Sequence, residues 1–213
     1  REIVTNKDLS MRMDTSEEWI EERTGIKERR IASEGETTSS LGTEAAQIAI
    51  NNSGLKNSDI DLIVLATATP DNTFPASATL IQSSLGIEKG YAYDMQAVCS
   101  GFVFAVEAAD NAIKAGNIKN ALVIGSETFS RILDWDDRST CVLFGDGAGA
   151  MVLSASSDDT NRGVLSNHLH SDGRYKDLLY VDGGPSISNQ VGFLRMDGKG
   201  DFKHAVPNLS SAI

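Results

Sequence analysis

The chain has 213 residues, 40% of them hydrophobic, enough to bury a substantial core in one large domain or two small ones. A formal net charge of -11 leaves no overall positive field to gather nucleic acid or an anionic membrane, and no apolar run reaches the ~20 residues of a transmembrane helix. Cys99 and Cys141 are too few for a disulfide scaffold and lack CxxC spacing for zinc or redox exchange; with no signal-peptide layout at residues 1–6, the cytoplasm is the expected compartment.

Thr15-Ser16-Glu17-Glu18 reads as a capping box, Thr15 to Glu18, opening a short helix that carries Trp19 and Ile20 and stops at Gly25. Its exit is basic, with Arg23, Lys27, Arg29 and Arg30. A second helix is predicted over Leu41 to Ser53, with Ala45, Ile48 and Ala49 facing a sheet and Gly54 as its cap. Asp61 to Thr67 is a near-continuous apolar run, the signature of a strand buried on both faces, and the next loop holds Pro70, Asp71 and Pro75. Ala76 to Leu85 then reads as a helix stopped by Gly86, and Ala92 to Met95 as a short strand. Gly101 to Ala115 reads as a long helix closed by Gly116, and Asn120 to Gly125 as another buried strand.

Strands alternating with helices across short connections predict a layered α/β fold with a largely parallel sheet. Beyond Asp134 the pattern changes. Cys141 to Phe144, a glycine turn over Gly145 to Gly149, and Ala150 to Leu153 read as a hairpin or a closely packed strand pair. Ser156 to Arg162 reads as an exposed connection, Gly163 to Ser166 as a strand, Asp182 to Gln190 as a loop and Phe202 to Ile213 as a final helix.

Cys99 falls after a predicted strand and at the start of a predicted long helix. Unpaired N–H groups and the positive end of the helix dipole there favour a thiolate, and small Ser100 and Gly101 let a carbonyl approach the backbone. From this placement alone Cys99 reads either as a nucleophile or as a structural thiol under the sheet.

The segment Ala97-Val98-Cys99-Ser100-Gly101-Phe102 is similar to the active-site segment of type III ketoacyl synthases. Further blocks stand in the family's order. They are Asp14 to Ile20 with Arg23-Thr24-Gly25-Ile26, Thr67 to Asp71, Phe74 to Ala78, Gly125-Ser126-Glu127, and Phe144 to Ala150. On these blocks the chain resembles the β-ketoacyl-acyl-carrier-protein synthase III family of thiolase-fold condensing enzymes. The resemblance implies a thiolase-like layered α/β fold of two halves, residues 1–160 supplying one that carries the nucleophilic Cys and residues 161–213 the start of a truncated second.

The activity so implied is acyl transfer from an acyl-CoA, acetyl by default, onto Cys99, then decarboxylative Claisen condensation with malonyl-acyl-carrier protein, initiating fatty acid synthesis. It implies no metal or other cofactor, the CoA thioester being substrate, and a homodimer. Trp19 and Arg23, four apart on one helix face, match residues that flank the CoA adenine; as bare residues they read as core and surface. Arg138 matches a further CoA contact and otherwise reads as a surface ion pair with neighbouring aspartates; Thr15 matches a position near the CoA and is also a helix cap. Phe144 matches a wall of the acyl pocket, and Phe74 a residue that closes the partner subunit's pocket. Lys203 matches a carrier-protein contact, although Asp201 stands where the family usually has an apolar residue.

The family's catalytic His and Asn are expected beyond residue 213, since His168, His170 and His204 do not stand in the family's context. A CoA- or carrier-binding module, or a half-reaction acyltransferase without condensation, is therefore the alternative reading. The same residues are also compatible with a hydroxymethylglutaryl-CoA synthase, a secondary-metabolite ketosynthase, or a cysteine hydrolase using one of the three histidines.

Overall fold

The computed structural model describes residues 1–157 and 162–211. The chain divides into two compact units, one of Arg1–Ser33, Phe129–Asp146 and His170–Ile213, the other of Glu34–Thr128 and Gly147–Leu169. Residues 158–161 of the connection predicted over Ser156 to Arg162, and with them the division after residue 160, lie outside the described residues.

The first unit opens with β1 (Glu2–Thr5), α1 (Asn6–Ser10), α2 (Glu17–Thr24) and β2 (Glu28–Ile31), the two strands pairing antiparallel. Gly25 ends α2 in the left-handed conformation at φ 70, as its sequence predicts. The cap at the other end is Ser16, not Thr15. Ser16 is extended and its hydroxyl accepts from the Trp19 N–H at 3.1 Å, so the residue three past the cap is Trp19 rather than Glu18. Arg29, predicted as part of a basic exit, is buried instead: its guanidinium donates to Asn6 Oδ1 at 2.9 Å and to the Val142 carbonyl at 2.7 Å.

The second unit contains α3 (Thr38–Ser53), β3 (Leu62–Ala66), α4 (Ser77–Ser84), β4 (Tyr91–Met95), α5 (Gly101–Lys114), β5 (Asn120–Thr128) and nearly all of β6 (Asp146–Ser154). The sheet order is β4-β3-β5-β6. All five residues of β3 are buried, and the strand runs parallel to both neighbours, with Ala66 opposite Met95 on one side and Gly125 on the other. Alternation sends Ile63, Leu65, Leu122 and Ile124 toward Ala46 and Ile50 of α3 and Ala78 and Ile81 of α4. Leu62, Val64, Ala121 and Val123 pack on the opposite face with Ala105 and Ala109 of α5. Each fully buried Leu, Ile or Val contributes about 1.5–3 kcal/mol, so the layered core is the main stabilising term of this unit.

Five expectations change, the one about Cys141 to Phe144 concerning the first unit. α3 begins at Thr38 rather than Leu41, because Thr37 and Ser40 cap one another reciprocally. Its buried face is Leu41, Gly42, Ala46 and Ile50, whereas Ile48, predicted to pack, is 61% exposed. The expected hairpin before β6 is absent: Cys141 N–H bonds the Asp137 carbonyl and Leu143 N–H the Thr140 carbonyl, so this stretch is a helical-type turn. Gly147 and Gly149 lie within β6 rather than in a turn, and Gly163 to Ser166 forms no strand, Gly163 bending the chain at φ 111.

The first unit resumes with β7 (Leu179–Gly184), β8 (Gln190–Met196) and α6 (Gly198–Ser211). β7 and β8 form an antiparallel hairpin where the composition of Asp182 to Gln190 predicts a loop; a register shift between Val181 and Gly183 accommodates the glycines. α6 starts before the predicted Phe202, and the last two residues of the predicted helix lie outside the described residues.

Gly90 makes the turn into β4 at φ 76, and a Cβ there would lie 2.0 Å from the Asp61 carbonyl oxygen. Gly90→Ala is expected to lower the free energy of unfolding by about 3 kcal/mol or more in urea titrations. Gly86→Ala, at φ 64 with nothing within 4 Å of the new Cβ, should cost only about 1–2 kcal/mol by the same measurement.

Candidate active site

In the second unit, the chain leaves the carboxyl end of β3 toward α4 on one face of the sheet and leaves the carboxyl end of β4 toward α5 on the other. Such a divergence opens a crevice beyond the strand ends, the usual ligand position in open α/β sheets. Cys99 lies in that second exit, in a single 3-10 turn, Val98–Ser100, that leads directly into α5. Its side chain is exposed.

The turn is strained in a way that presents the thiol. Val98 has φ 47, a left-handed conformation that a β-branched residue rarely adopts, and Ser100 N–H bonds back to the Ala97 carbonyl at 3.2 Å. Gly101 starts α5 with no side chain because a Cβ would meet the Ala66 Cβ at 3.3 Å, so the helix can begin close against β3. Phe102 then packs where a Cβ on Gly125 would stand, 3.2 Å from its ring.

Cys141 is the opposite case. It is fully buried in the first unit, its thiol donates to Met13 Sδ at 3.6 Å, and burial, helped by the negative charge of Asp137, pushes it up to about 11. At neutral pH it is a protonated core residue.

The first unit assembles the predicted Trp19, Arg23 and Arg138. Arg23 lies over the half-buried Trp19 indole with its guanidinium carbon 4.5 Å from the ring centroid, one turn along α2, and Arg138 stands 5.6 Å from the same centroid. Arg138 pairs with Asp14 at 3.5 Å and also donates to the Asp14 carbonyl, rather than pairing with the aspartates beside it in sequence. The neighbouring Thr15 hydroxyl is buried without a hydrogen-bond partner among the described residues. An indole flanked by two guanidinium groups suits a ligand that is both aromatic and anionic.

The remaining predicted residues are more dispersed. Phe144 is half-buried, its ring 4.9 Å from that of Phe129 in the same unit. Phe74 sits in the exit loop between β3 and α4 and is 82% exposed. Lys203 is exposed on α6, beside Phe202 at 70% exposure and His204, whose ring lies tilted against that of Tyr175 with centroids 4.1 Å apart.

One ionisable group carries no role in the sequence pattern. Glu127, at the end of β5, accepts from Ala68 N–H at 2.7 Å and from the Thr69 hydroxyl at 2.5 Å. Burial raises its carboxyl above the ordinary value, opposed by these hydrogen bonds. Its one signal is its membership of the Gly125-Ser126-Glu127 block.

The chain is similar to known proteins over its whole length. The family model described as 3-oxoacyl-[acyl-carrier-protein (ACP)] synthase III matches residues 93–173, the stretch that holds Cys99. Over 216 residues the chain is 61% identical to the β-ketoacyl-[acyl-carrier-protein] synthase III of Chelativorans sp., covering 100% of this chain and 67% of the relative.

The chain belongs to the β-ketoacyl-[acyl-carrier-protein] synthase III family.

The synthase III of Rhodospirillum centenum is 62% identical over 213 residues, covering 99% of this chain and 66% of its own length. The chain thus spans about two-thirds of the family members it matches. Among solved structures, the synthase III of Pseudomonas aeruginosa superposes with a TM-score of 0.91 at 38% identity, covering 99% of this chain and 64% of that one. The synthase III of Aquifex aeolicus gives 0.89 at 46% identity, covering 96% and 63%. These matches establish the thiolase-like layered α/β fold of the family for this chain.

The two cysteines provide a direct test of the site. At pH 7.5, iodoacetamide is expected to modify Cys99 at least about tenfold faster than Cys141, read by peptide mass spectrometry. Cys141 should label only once the chain is unfolded, because both its burial and its protonation oppose reaction.

Proposed function

We propose that the protein carrying this chain takes an acyl group from acyl-CoA onto Cys99 and condenses it with malonyl-acyl-carrier protein, the step that initiates fatty acid synthesis. The observation that carries this reading is the exposed thiol of Cys99, held in a strained turn at the carboxyl end of a parallel strand, within the matched family stretch. The relatives at about 60% identity are named as synthases, which favours this reading over a binding module.

In the first half-reaction the Cys99 sulfur attacks the thioester carbonyl of an acyl-CoA and the CoA thiolate leaves, conserving a thioester on the protein. In the second, decarboxylation of the malonyl thioester yields carbon dioxide and a carbon nucleophile. That carbon attacks the acyl-Cys99 carbonyl, a C–C bond forms and the Cys99 thiolate is released. Acetyl is the expected primer. Backbone N–H groups where the Cys99 turn enters α5 suit the developing oxyanion.

The remaining assignments follow the same reading. Trp19, Arg23, Arg138 and Thr15 receive the nucleotide end of CoA; the indole stacks with the adenine and the guanidinium groups meet phosphate. Phe144 lines the acyl pocket. Phe74, whose exposure suits a side chain that works outside its own subunit, closes the pocket of a homodimer partner. Lys203 on α6 meets the acidic carrier protein. Residues 1–160 supply the first thiolase-like half and residues 161–213 the start of the second, no cofactor beyond the substrate is needed, and the cytoplasm is the compartment. No helix among the described residues is long and apolar enough to cross a membrane.

Incubating the intact protein with acetyl-CoA is expected to add one acetyl group by mass spectrometry, lost in Cys99→Ser; an unmodified wild-type protein that is folded would overturn the reading. Trp19→Ala should weaken CoA binding about tenfold by calorimetry, while leaving iodoacetamide labelling of Cys99 unchanged.

A further inference from the structure

Two sequence blocks that the catalytic reading leaves without a role, Thr67 to Asp71 and Gly125 to Glu127, meet in a single hydrogen-bonded arrangement. The loop between β3 and α4 leaves the sheet at Thr67, whose N–H still bonds the Met95 carbonyl at 3.1 Å. From there Glu127 takes hold of it. One carboxylate oxygen accepts from Ala68 N–H at 2.7 Å; the second accepts from the Thr69 hydroxyl at 2.5 Å and, at 3.4 Å, from the Thr67 hydroxyl.

The same Thr69 hydroxyl accepts from Thr128 N–H at 2.9 Å, and the Thr38 hydroxyl donates to the Thr69 carbonyl at 2.5 Å. Thr69 is thereby tied to β5 and to α3. Farther along, Asp71 accepts from Ser39 N–H at 2.9 Å, the Ser39 hydroxyl at 2.6 Å and the Ser77 hydroxyl at 3.0 Å. Both flanks of the loop are thus fastened by carboxylates. Between them lies the stretch Asn72 to Pro75, which carries Phe74 out to 82% exposure.

A half-buried carboxylate that contacts no cation among the described residues is a costly way to hold a loop, since burial disfavours its charge. Its advantage is geometric. A carboxylate accepts at both oxygens, and here it can bind two consecutive residues of the loop while reaching from the neighbouring strand.

We infer that Glu127 is a positioning residue, which sets the pose of the loop carrying Phe74 and through it the size of acyl primer that the pocket accepts. The second half of this inference rests on the function proposed above; the first half does not.

Glu127→Ala and Thr69→Val test it in the intact protein, with Thr69→Ser as the conservative control. Hydrogen exchange is expected to quicken at least about tenfold at Ala68 and Thr128 N–H in both disruptive variants, to stay unchanged in β3, and to be restored in Thr69→Ser. Exchange no faster than wild type in variants with native circular dichroism would overturn the positioning role. For primer size, the ratio of kcat/KM for acetyl-CoA over hexanoyl-CoA should fall about fivefold or more in both variants, with iodoacetamide labelling of Cys99 within twofold of wild type. An unchanged ratio, or a uniform loss for both primers together with slower labelling, would overturn the specificity role. A wild-type protein that forms no acyl-Cys99 would overturn both the proposed function and the specificity role, while faster exchange at Ala68 would still uphold positioning.

Discussion

Burial of β3 on both faces constrains everything else in the second unit. With Leu62 to Ala66 all enclosed between α3 and α4 on one side and α5 on the other, no side chain in the body of the strand can meet a ligand. Chemistry is left to the strand ends, where the backbone leaves the hydrogen-bonded ladder and its N–H groups become available. Parallel pairing puts the carboxyl ends of β3, β4 and β5 at the same edge of the sheet. The exits carrying Phe74 and Cys99, and the Glu127 carboxylate, therefore gather there as a consequence of topology.

The sequence revealed this much because doubly buried strands leave a continuous apolar run and because helix stops have a conformational cause. Gly25, Gly54, Gly86 and Gly116 all read as stops, and all take a positive φ. Cap residues were less legible. Thr15 and Ser16 are both competent caps, and only the backbone conformation of Ser16 decides between them. Arg29 misled for a related reason: standing among Lys27, Arg29 and Arg30 it looked like surface charge, yet β2 alternates, and the side chain opposite Val4 points inward.

Further features were not legible for physical reasons. The β7–β8 hairpin was hidden by Gly183, Gly184 and Pro185, a composition that normally marks a loop but here sits at a register shift and a turn. Cys99 could be placed between a strand and a helix, but the left-handed Val98 that sets its presentation carries no sequence signal, because that conformation is usually reserved for Gly or Asn. Glu127 and Thr69 are 58 residues apart, and no local pattern pairs them. Blocks known only by resemblance acquired a physical meaning once the fold brought them together.

Part of the acidic composition also has a structural role. Asp61 accepts from the N–H groups of Lys119 and Asn120, Asp94 from those of Ser77 and Ala78, Asp146 from those of Ala32 and Ser130, and Glu127 from that of Ala68. These carboxylates terminate backbone elements in place of water. These four of the 30 acidic residues are thus engaged by backbone N–H groups inside the fold. Arg23 and Arg138 meanwhile converge on one indole, so two guanidinium groups meet at a single aromatic face in an acidic chain. Screening confines the field of distant charges to about 10 Å at ordinary ionic strength, so an anionic ligand at Trp19 responds to those two guanidinium groups, to Asp14 and to Glu17, Glu18, Glu21 and Glu22 of α2 before it responds to the net charge.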